Sequence, residues 1–354
     1  MAYRFKLDEP LEKGFRRIAR NQVELALANI ASDEVSPKNI HECRKSLKRT
    51  RALIKLVSPS IGMKAATRLD RNIRDVARAL SLNRDGTVVM ATIANLAHGA
   101  DEPLAAALKQ LQAKLEVGLV TEKSSSHNSL PIDEFGIDDI RIEEIRADLD
   151  HIKHYLENLT IAQRGISALK PGLFASYKDG KRLLKVAYKR RTAESFHDLR
   201  KAVQVHWRQM SLLSRAWPEE MHLRVAAARE ISQILGEEHD LELVDQASQA
   251  LDGVDENARS LVRSVCKERR RGLRQRARFR AERLFAEDAS SFAKRIVASW
   301  RAARKIEAQS IEAQALADAP PVDSSDNPAP AATTLSAPHI LAKPPRQALA
   351  RKAG

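Results

Sequence analysis

The chain has 354 residues, 60 of them Lys or Arg and 46 Asp or Glu, for a formal net charge of +14. That length suffices for two or three domains and a substantial core, and the charge excess favours polyanions as partners: nucleic acid, an acidic membrane surface or polyphosphate. The two cysteines, Cys43 and Cys266, stand far apart without a CxxC neighbour, which argues against both a disulfide framework and a cysteine metal site.

The first stretch, "MAYRFKLDEPLEKGF", lacks the apolar core of a signal peptide. No run approaches about 18 apolar residues, so no transmembrane helix is expected. Reduced cytosol is the expected setting, and peripheral contact with anionic lipid stays open. Scarce Gly and aromatics beside abundant Ala, Leu, Arg, Glu and Lys make a helical composition. Helical periodicity dominates from about residue 9 to about residue 305. Residues 9–30 read as one helix. Ser36 is placed to cap a second, with Pro37 at its first position, and "SPSIG" to end it. A third helix covers residues 63–82 and a fourth starts near Arg84. The Ser-, Asn-, Pro- and Gly-rich stretch 118–136 reads as a surface loop. Helices resume near Ile137, break at "KPG" (170–172), and continue to about Ile306. Beyond that lie seven of the fourteen prolines and no aromatic. Residues 307–354 therefore read as a disordered tail, unable to bury enough apolar surface to offset its ordering entropy.

Within the helical part the sequence repeats itself. His41-Glu42-Cys43-Arg44-Lys45 has a counterpart 156 residues later in His197-Asp198-Leu199-Arg200-Lys201. "LSLNRDGTVVMATIANL" (80–96) matches "LGEEHDLELVDQASQAL" (235–251) at an offset of 155, pairing Asp85 with Asp240, and Arg74 pairs with Arg229 in that register. Upstream, "EKGFRRI" (12–18) resembles "KDGKRLL" (178–184). Three blocks in order, two of them at nearly one offset and the upstream one about ten residues further apart, argue for duplication of a multi-helix unit. The expected fold is all-α: two four-helix-bundle-like units over residues 1–160 and 161–306, related by a pseudo-twofold, plus the tail.

The segment "IHECRKSLKRTRALIKLV" (40–57) carries seven basic residues, histidine included, and one acid. At about 100° per residue, His41, Arg44, Lys45, Lys48 and Lys55 share one side, with Arg49 and Arg51 flanking. Cys43, Leu47, Ile54 and Val57 occupy the other. The second copy places His197, Arg200, Lys201 and Arg208 likewise, backed by Leu199, Val203, Met210 and Leu213. Arg gives phosphate a planar fork of donors, Lys a point charge, and His an N–H donor that gains a proton when phosphates crowd it. Arg16, Arg17 and Arg20, with Lys181, Arg182, Lys185 and Lys189, lie on helices that are expected to complete a groove. The densest run, "CKERRRGLRQRARFRAER" (266–283), holds nine basic residues but has no repeat partner.

With these blocks on the page, the chain resembles the CHAD domain family (conserved histidine α-helical domain). The carriers are "HECRKSLKRTRALIKL", "FHDLRKAVQVHWRQMSLLSRAWP", the "NRD" and "EEHD" turns, "YKDGKRLL" and "AERLFAEDASSFAKRIVASW", spread over about residues 4–305. The resemblance implies two four-helix bundles facing each other across a basic cavity that binds inorganic polyphosphate, and in some bacteria association with polyphosphate granules and their proteins. Its histidine and basic positions fall on His41, Arg44, Lys45, Lys48, His197, Arg200 and Lys201. Gln204 stands where a basic residue is common, so the second half is expected to bind more weakly. No ExExK motif of the CYTH triphosphatases fused to some members occurs.

Two rival readings are weaker. Sequence-tolerant binding of single-stranded nucleic acid calls for stacking aromatics among the charges, and only His206 and Trp207 lie near a strip's midpoint. His197-Asp198 and His239-Asp240 are HD dyads of the kind that hold metals in phosphohydrolases, but their repeat counterparts, at Glu42 and Arg84, do not keep the dyads. Asp85 and Asp240 read instead as caps of helices that they begin. A non-enzymatic bacterial cytosolic protein that needs no cofactor and binds polyphosphate is expected, with Arg51, Lys55, Arg74 and Arg229 added to the site.

Overall fold

The computed structural model describes residues 3–32, 35–80, 84–125, 139–161 and 165–318. Among these there are eleven α-helices, one short 3-10 turn at Ile166–Leu169, and no strand. In chain order the helices are α1 (Leu11–Asn29), α2 (Pro37–Ile61), α3 (Met63–Ala79), α4 (Arg84–Ala97), α5 (Glu102–Ser125), α6 (Asp139–Glu157), α7 (Lys170–Arg190), α8 (Ala193–Leu212), α9 (Pro218–Ala250), α10 (Glu256–Leu284) and α11 (Ala289–Ala317).

Local chemistry accounts for several boundaries. The Ser36 hydroxyl accepts from the Asn39 amide and Pro37 opens α2, as the sequence predicts. Thr192 caps α8 in the same way through the Ser195 amide, and Asp255 caps α10 through Ala258. Gly62 ends α2 at φ 87°, a conformation that Cβ disfavours.

"SPSIG" ends α2 at Gly62 as expected, although Pro59 lies inside its last turn. Pro59 has no N–H to offer the Lys55 carbonyl, and the Ser58 hydroxyl donates to that carbonyl at 3.1 Å. Other boundaries depart from expectation. "KPG" opens α7 rather than only breaking the chain, because Pro171 sits in its first turn. The loop expected from residue 118 begins later, since α5 continues to Ser125; its remainder, 126–136, lies outside the described residues. Likewise α11 carries helix through residues 307–317, where tail was expected, and the tail from 319 onward is outside them. "EEHD" is no turn, and Asp240 caps nothing, because both lie within the unbroken α9. No proline or turn residue interrupts that stretch, and Glu238 is clamped there by Arg270 and Arg274 of α10.

Residues 1–309 form one compact unit. In it α1, α2, α3 and α6 pack in a closed ring, and α7, α8, α9 and α10 close a second. The α4–α5 hairpin of the first half packs on α9 and α10 of the second. Phe292 of α11 stacks on Tyr177 of α7, centroids 4.1 Å apart, and Arg295 pairs with Glu220 of α9 at 2.6 Å. Helix starts keep the sequence spacing: α2 and α8 begin at Pro37 and Ala193, 156 apart, and α3 and α9 at Met63 and Pro218, 155 apart.

The two rings meet where α2 packs on α7 and α8. Gly172 makes that approach possible, since a Cβ there would stand 1.9 Å from the Leu56 carbonyl oxygen. Ser60 donates to the Ala168 carbonyl at 3.0 Å beside it. Gly172→Ala is therefore expected to destabilise the fold by about 3 kcal/mol, the upper end of ordinary overpacking. Gly272 lies in mid-α10 with open space around it, so Gly272→Ala is expected to stabilise by about 1 kcal/mol through helix propensity. Chemical denaturation of the two variants beside the parent checks both signs.

Candidate anion-binding site

On α2, each basic side chain takes a distinct environment. His41 and Lys55 are exposed, and Lys48 is half-buried. Lys45 pairs with Glu42 one turn back at 2.9 Å. Arg44 donates to the carbonyls of Ala77 and Leu80, 3.3 and 3.2 Å away, at the end of α3. Helix α3 stops there, and the guanidinium meets carbonyls of its last turn. Arg51 grips Asp70 of α3 with two bonds of 2.8 and 3.0 Å. Burial works to raise the Asp70 carboxyl, but the Arg51 hydrogen bond and the charges of Arg51, Lys55 and Arg74 hold it below its ordinary value. Arg51, Lys55 and Arg74 thus converge on one carboxylate in the α2–α3 seam.

On α8 the same positions meet a different neighbour, because α9 runs on where α3 ends. Lys201 pairs with Asp198 at 3.2 Å, repeating the Lys45–Glu42 spacing. Arg200 lies against Gly236 of α9, where a Cβ would come within 2.8 Å of its guanidinium. The rings of His197 and His239 stand 5.0 Å apart. Burial, then the charges of Lys201, His239 and Arg200, push His197 down to about 4. Gln204 bonds Ser232 of α9 at 3.1 Å, so the position that lacks a cation serves the helix seam instead.

The densest arrangement lies at the far end of α8. Arg208 is only 6 % exposed. Its guanidinium donates to the Gln204 carbonyl at 2.8 Å and lies 4.3 Å from the Trp207 ring centroid, while its Nε has no hydrogen-bond partner. Arg229 of α9 reaches the same ring at 4.8 Å. Arg49 of α2 lies 5.4 Å from the ring of Tyr3, whose hydroxyl donates to the Arg49 carbonyl at 2.8 Å. Burial lowers Arg208 to about 10, with Arg49 and Arg229 adding to the shift and Tyr3 opposing it. It remains protonated at neutral pH. Among the described residues no carboxylate comes within ion-pair distance of Arg49, Arg208 or Arg229. Three guanidiniums from three helices therefore converge with rings and dipoles in place of acids.

The structure brings Arg208 and Arg229 together, as the strips suggest. Arg49 flanks the α2 strip in sequence, and Tyr3 gives no sequence signal at all. Both depend on α2 and α8 meeting, which no spacing reveals. Other expected residues point elsewhere. Arg16 is held by Glu12 at 2.6 Å and by the Leu159 carbonyl, and Arg20 faces Glu24 at 3.7 Å. Arg182 pairs with Asp179, and Lys181 donates to the Ala286 and Glu287 carbonyls past the end of α10. Lys185 lines a cleft against α10. Of the Arg-rich run, Arg270 and Arg274 are spent on the α9 acids Glu238 and Glu242.

His206, behind the cluster, is 3 % exposed among Tyr177, Phe285 and Phe292. Burial first, then Arg224, drives it down to about 3. Its folded value lies below the unfolded one, so the unfolded chain takes up a proton that the native state refuses. Stability is full above about pH 6.5 and falls as pH drops, by up to about 1.4 kcal/mol per pH unit for a fully buried histidine. His197, half exposed, adds less. Melting temperature is thus expected to fall from pH 7 to pH 5, above the carboxylate range, and His206→Gln to flatten that slope. A parent melting temperature constant across this window would contradict the burial argument.

Residues 11–249 match a family model described as the CHAD domain, within the stretch over which the sequence motifs are spread. No curated protein and no solved structure matches the chain.

Proposed function

The chain belongs to the CHAD domain family, and from that premise we propose that it binds inorganic polyphosphate as a non-enzymatic protein of the bacterial cytosol, at polyphosphate granules. The association of this family with polyphosphate supports the ligand class. The observation that carries the reading is the Arg49–Arg208–Arg229 convergence without a carboxylate. Burying a charge costs several kcal/mol unless something compensates it, and a polyanion supplies the missing negative charge. Arg44, Lys48, Lys55 and Arg74 on the α2–α3 side, with His197, Arg200 and Lys201 on the α8–α9 side, extend the cationic surface to either side of the cluster. The spacing of helix starts supports an internal duplication as the origin of the two strips. Lys45 and Lys201 act with their own carboxylates one turn away, so each presents less net charge to a ligand.

Nucleic acid is the weaker reading. The Trp207 ring already carries two guanidiniums, so it offers little to a stacking base. The HD dyads do not favour hydrolysis either: His197 and His239 face each other, while Asp198 is engaged by Lys201.

Long-chain polyphosphate titrated into the full chain is expected to bind with an affinity that falls steeply as salt rises, because binding a linear polyanion releases counterions. Arg49→Ala and Arg229→Ala are expected to lose about tenfold each, the scale of a charge-assisted hydrogen bond. Arg20→Ala and Arg182→Ala, whose guanidiniums already face carboxylates, are expected to lose less than about twofold. An affinity flat in salt, or equal losses in both pairs, would overturn the assignment, and RNA that displaced polyphosphate at equal concentration of charge would favour the rival.

A further inference from the structure

A cleft of about 480 Å³ lies between α7 and α10. In the ring α7–α8–α9–α10, the α10–α7 seam is the edge opposite the α8–α9 seam that holds Trp207 and Arg229. Leu184, Tyr188 and Phe285 line it with carbon, and Lys185, Lys189 and Arg278 line it with charge. The Tyr188 hydroxyl donates to the Arg274 carbonyl at 2.6 Å, so its polar end is satisfied within the protein. Gly180 lets Phe285 close against α7, since a Cβ there would stand 2.6 Å from that ring. Lys181, bonded to the Ala286 and Glu287 carbonyls, closes one end. The lining's one carboxylate, Glu282, is bonded to Arg278 at 2.8 Å.

We propose that this cleft binds a small amphiphilic anion: an alkyl or aryl chain bearing a single phosphate or carboxylate. A bare phosphate polymer gains nothing from a carbon floor, whereas an uncharged chain gains nothing from the lysines. Lys185 and Lys189 are exposed, and such side chains lay their stems along apolar surface while the ammonium stays in water. The volume is that of an ordinary small-ligand pocket with few polar groups at its edge. From Lys181 to Lys189 the helix rises about 12 Å, the extended length of an alkyl chain of about ten carbons. The inference stands apart from the polyphosphate reading, because it uses other residues on the other edge of the ring.

Decyl phosphate, titrated into the full chain below its micelle concentration and followed by calorimetry, is expected to bind saturably at one per chain. Affinity is expected to rise about fourfold per methylene from hexyl to decyl phosphate and then level off where the cleft ends. Inorganic phosphate and decanol are each expected to bind at least about tenfold more weakly, since each lacks one half of the match. Lys185→Glu with Lys189→Glu, both at exposed positions, is expected to cost about tenfold for decyl phosphate through charge reversal, with helicity unchanged. Long-chain polyphosphate affinity is expected to stay within about twofold in that variant. Leu184→Asp is expected to abolish decyl phosphate binding. Binding seen only above the micelle concentration, equal binding of inorganic phosphate, or an unaffected double variant would overturn the proposal. So would an equal loss of polyphosphate affinity in the double variant, which would make the cleft part of the polyanion surface.

Discussion

Arg208 is buried beside two other guanidiniums, and a buried charge is tolerated only where something replaces the water it has lost. At this position the replacements are weak ones: a helix carbonyl from Gln204, the Trp207 ring, and the Tyr3 phenol nearby. A desolvated cation over an indole gains on the order of 2 kcal/mol, less than the several kcal/mol that an uncompensated buried charge costs. The α2–α8 contact must therefore hold against a standing repulsion. Much of the surrounding packing bears on that demand.

Helix seams elsewhere treat their cations differently. Arg51 meets Asp70 between α2 and α3, Arg270 and Arg274 meet Glu238 between α9 and α10, and Arg295 meets Glu220 and Glu287 where α11 joins α9. Each of these arginines is neutralised where it is buried, as packing without a ligand requires. Pairing thus sorts the basic residues more sharply than density does. The run at 266–283 is the most basic in the chain, yet its inward-facing members serve the bundle, while the sparser α8 position holds the uncompensated charge. The two halves also diverge for a backbone reason. α3 ends at Ala79, so Arg44 reaches the carbonyls of its last turn; α9 continues, so Arg200 instead lies across Gly236.

Periodicity and caps made most helices legible in the sequence, including the start of α2 at Ser36-Pro37 and of α4 at Arg84. Breaker counting failed where propensity or tertiary contact outweighed a single residue. Gly118 does not end α5, because the Leu, Val, Glu and Lys around it favour helix enough to carry one glycine. "EEHD" contains no breaker and is clamped to α10 by two arginines. For the site, angle on the helix identified which residues leave the apolar side but not what each meets outside. Arg16, Arg20 and Arg182 lie on solvent-facing arcs and find acids on their own helices. Arg49 joins the cluster only because α2 crosses α8, a contact between residues more than 150 positions apart that leaves no local signature.

The N-terminal segment resolves the conflict between these charges and the fold. The Phe5 amide donates to the Leu212 carbonyl at the end of α8 at 2.9 Å, and Tyr3 donates to Arg49 on α2. Phe5 and Leu7 are buried, at 2 % and 6 % exposure. A short strap thus crosses from one strip helix to the other at the level where their cations repel. Two buried side chains of this size contribute on the order of 4 kcal/mol of apolar burial, comparable to the repulsion of a few partly solvated charges at the distances involved. The strap holds α2 to α8 with carbon and backbone hydrogen bonds, neither of which introduces an acid. A carboxylate placed there would serve the fold as well, but it would neutralise the cations of the proposed polyanion surface. Keeping the tie apolar leaves the charge uncompensated, so the atoms that stabilise the junction are different from those that would hold the proposed anion.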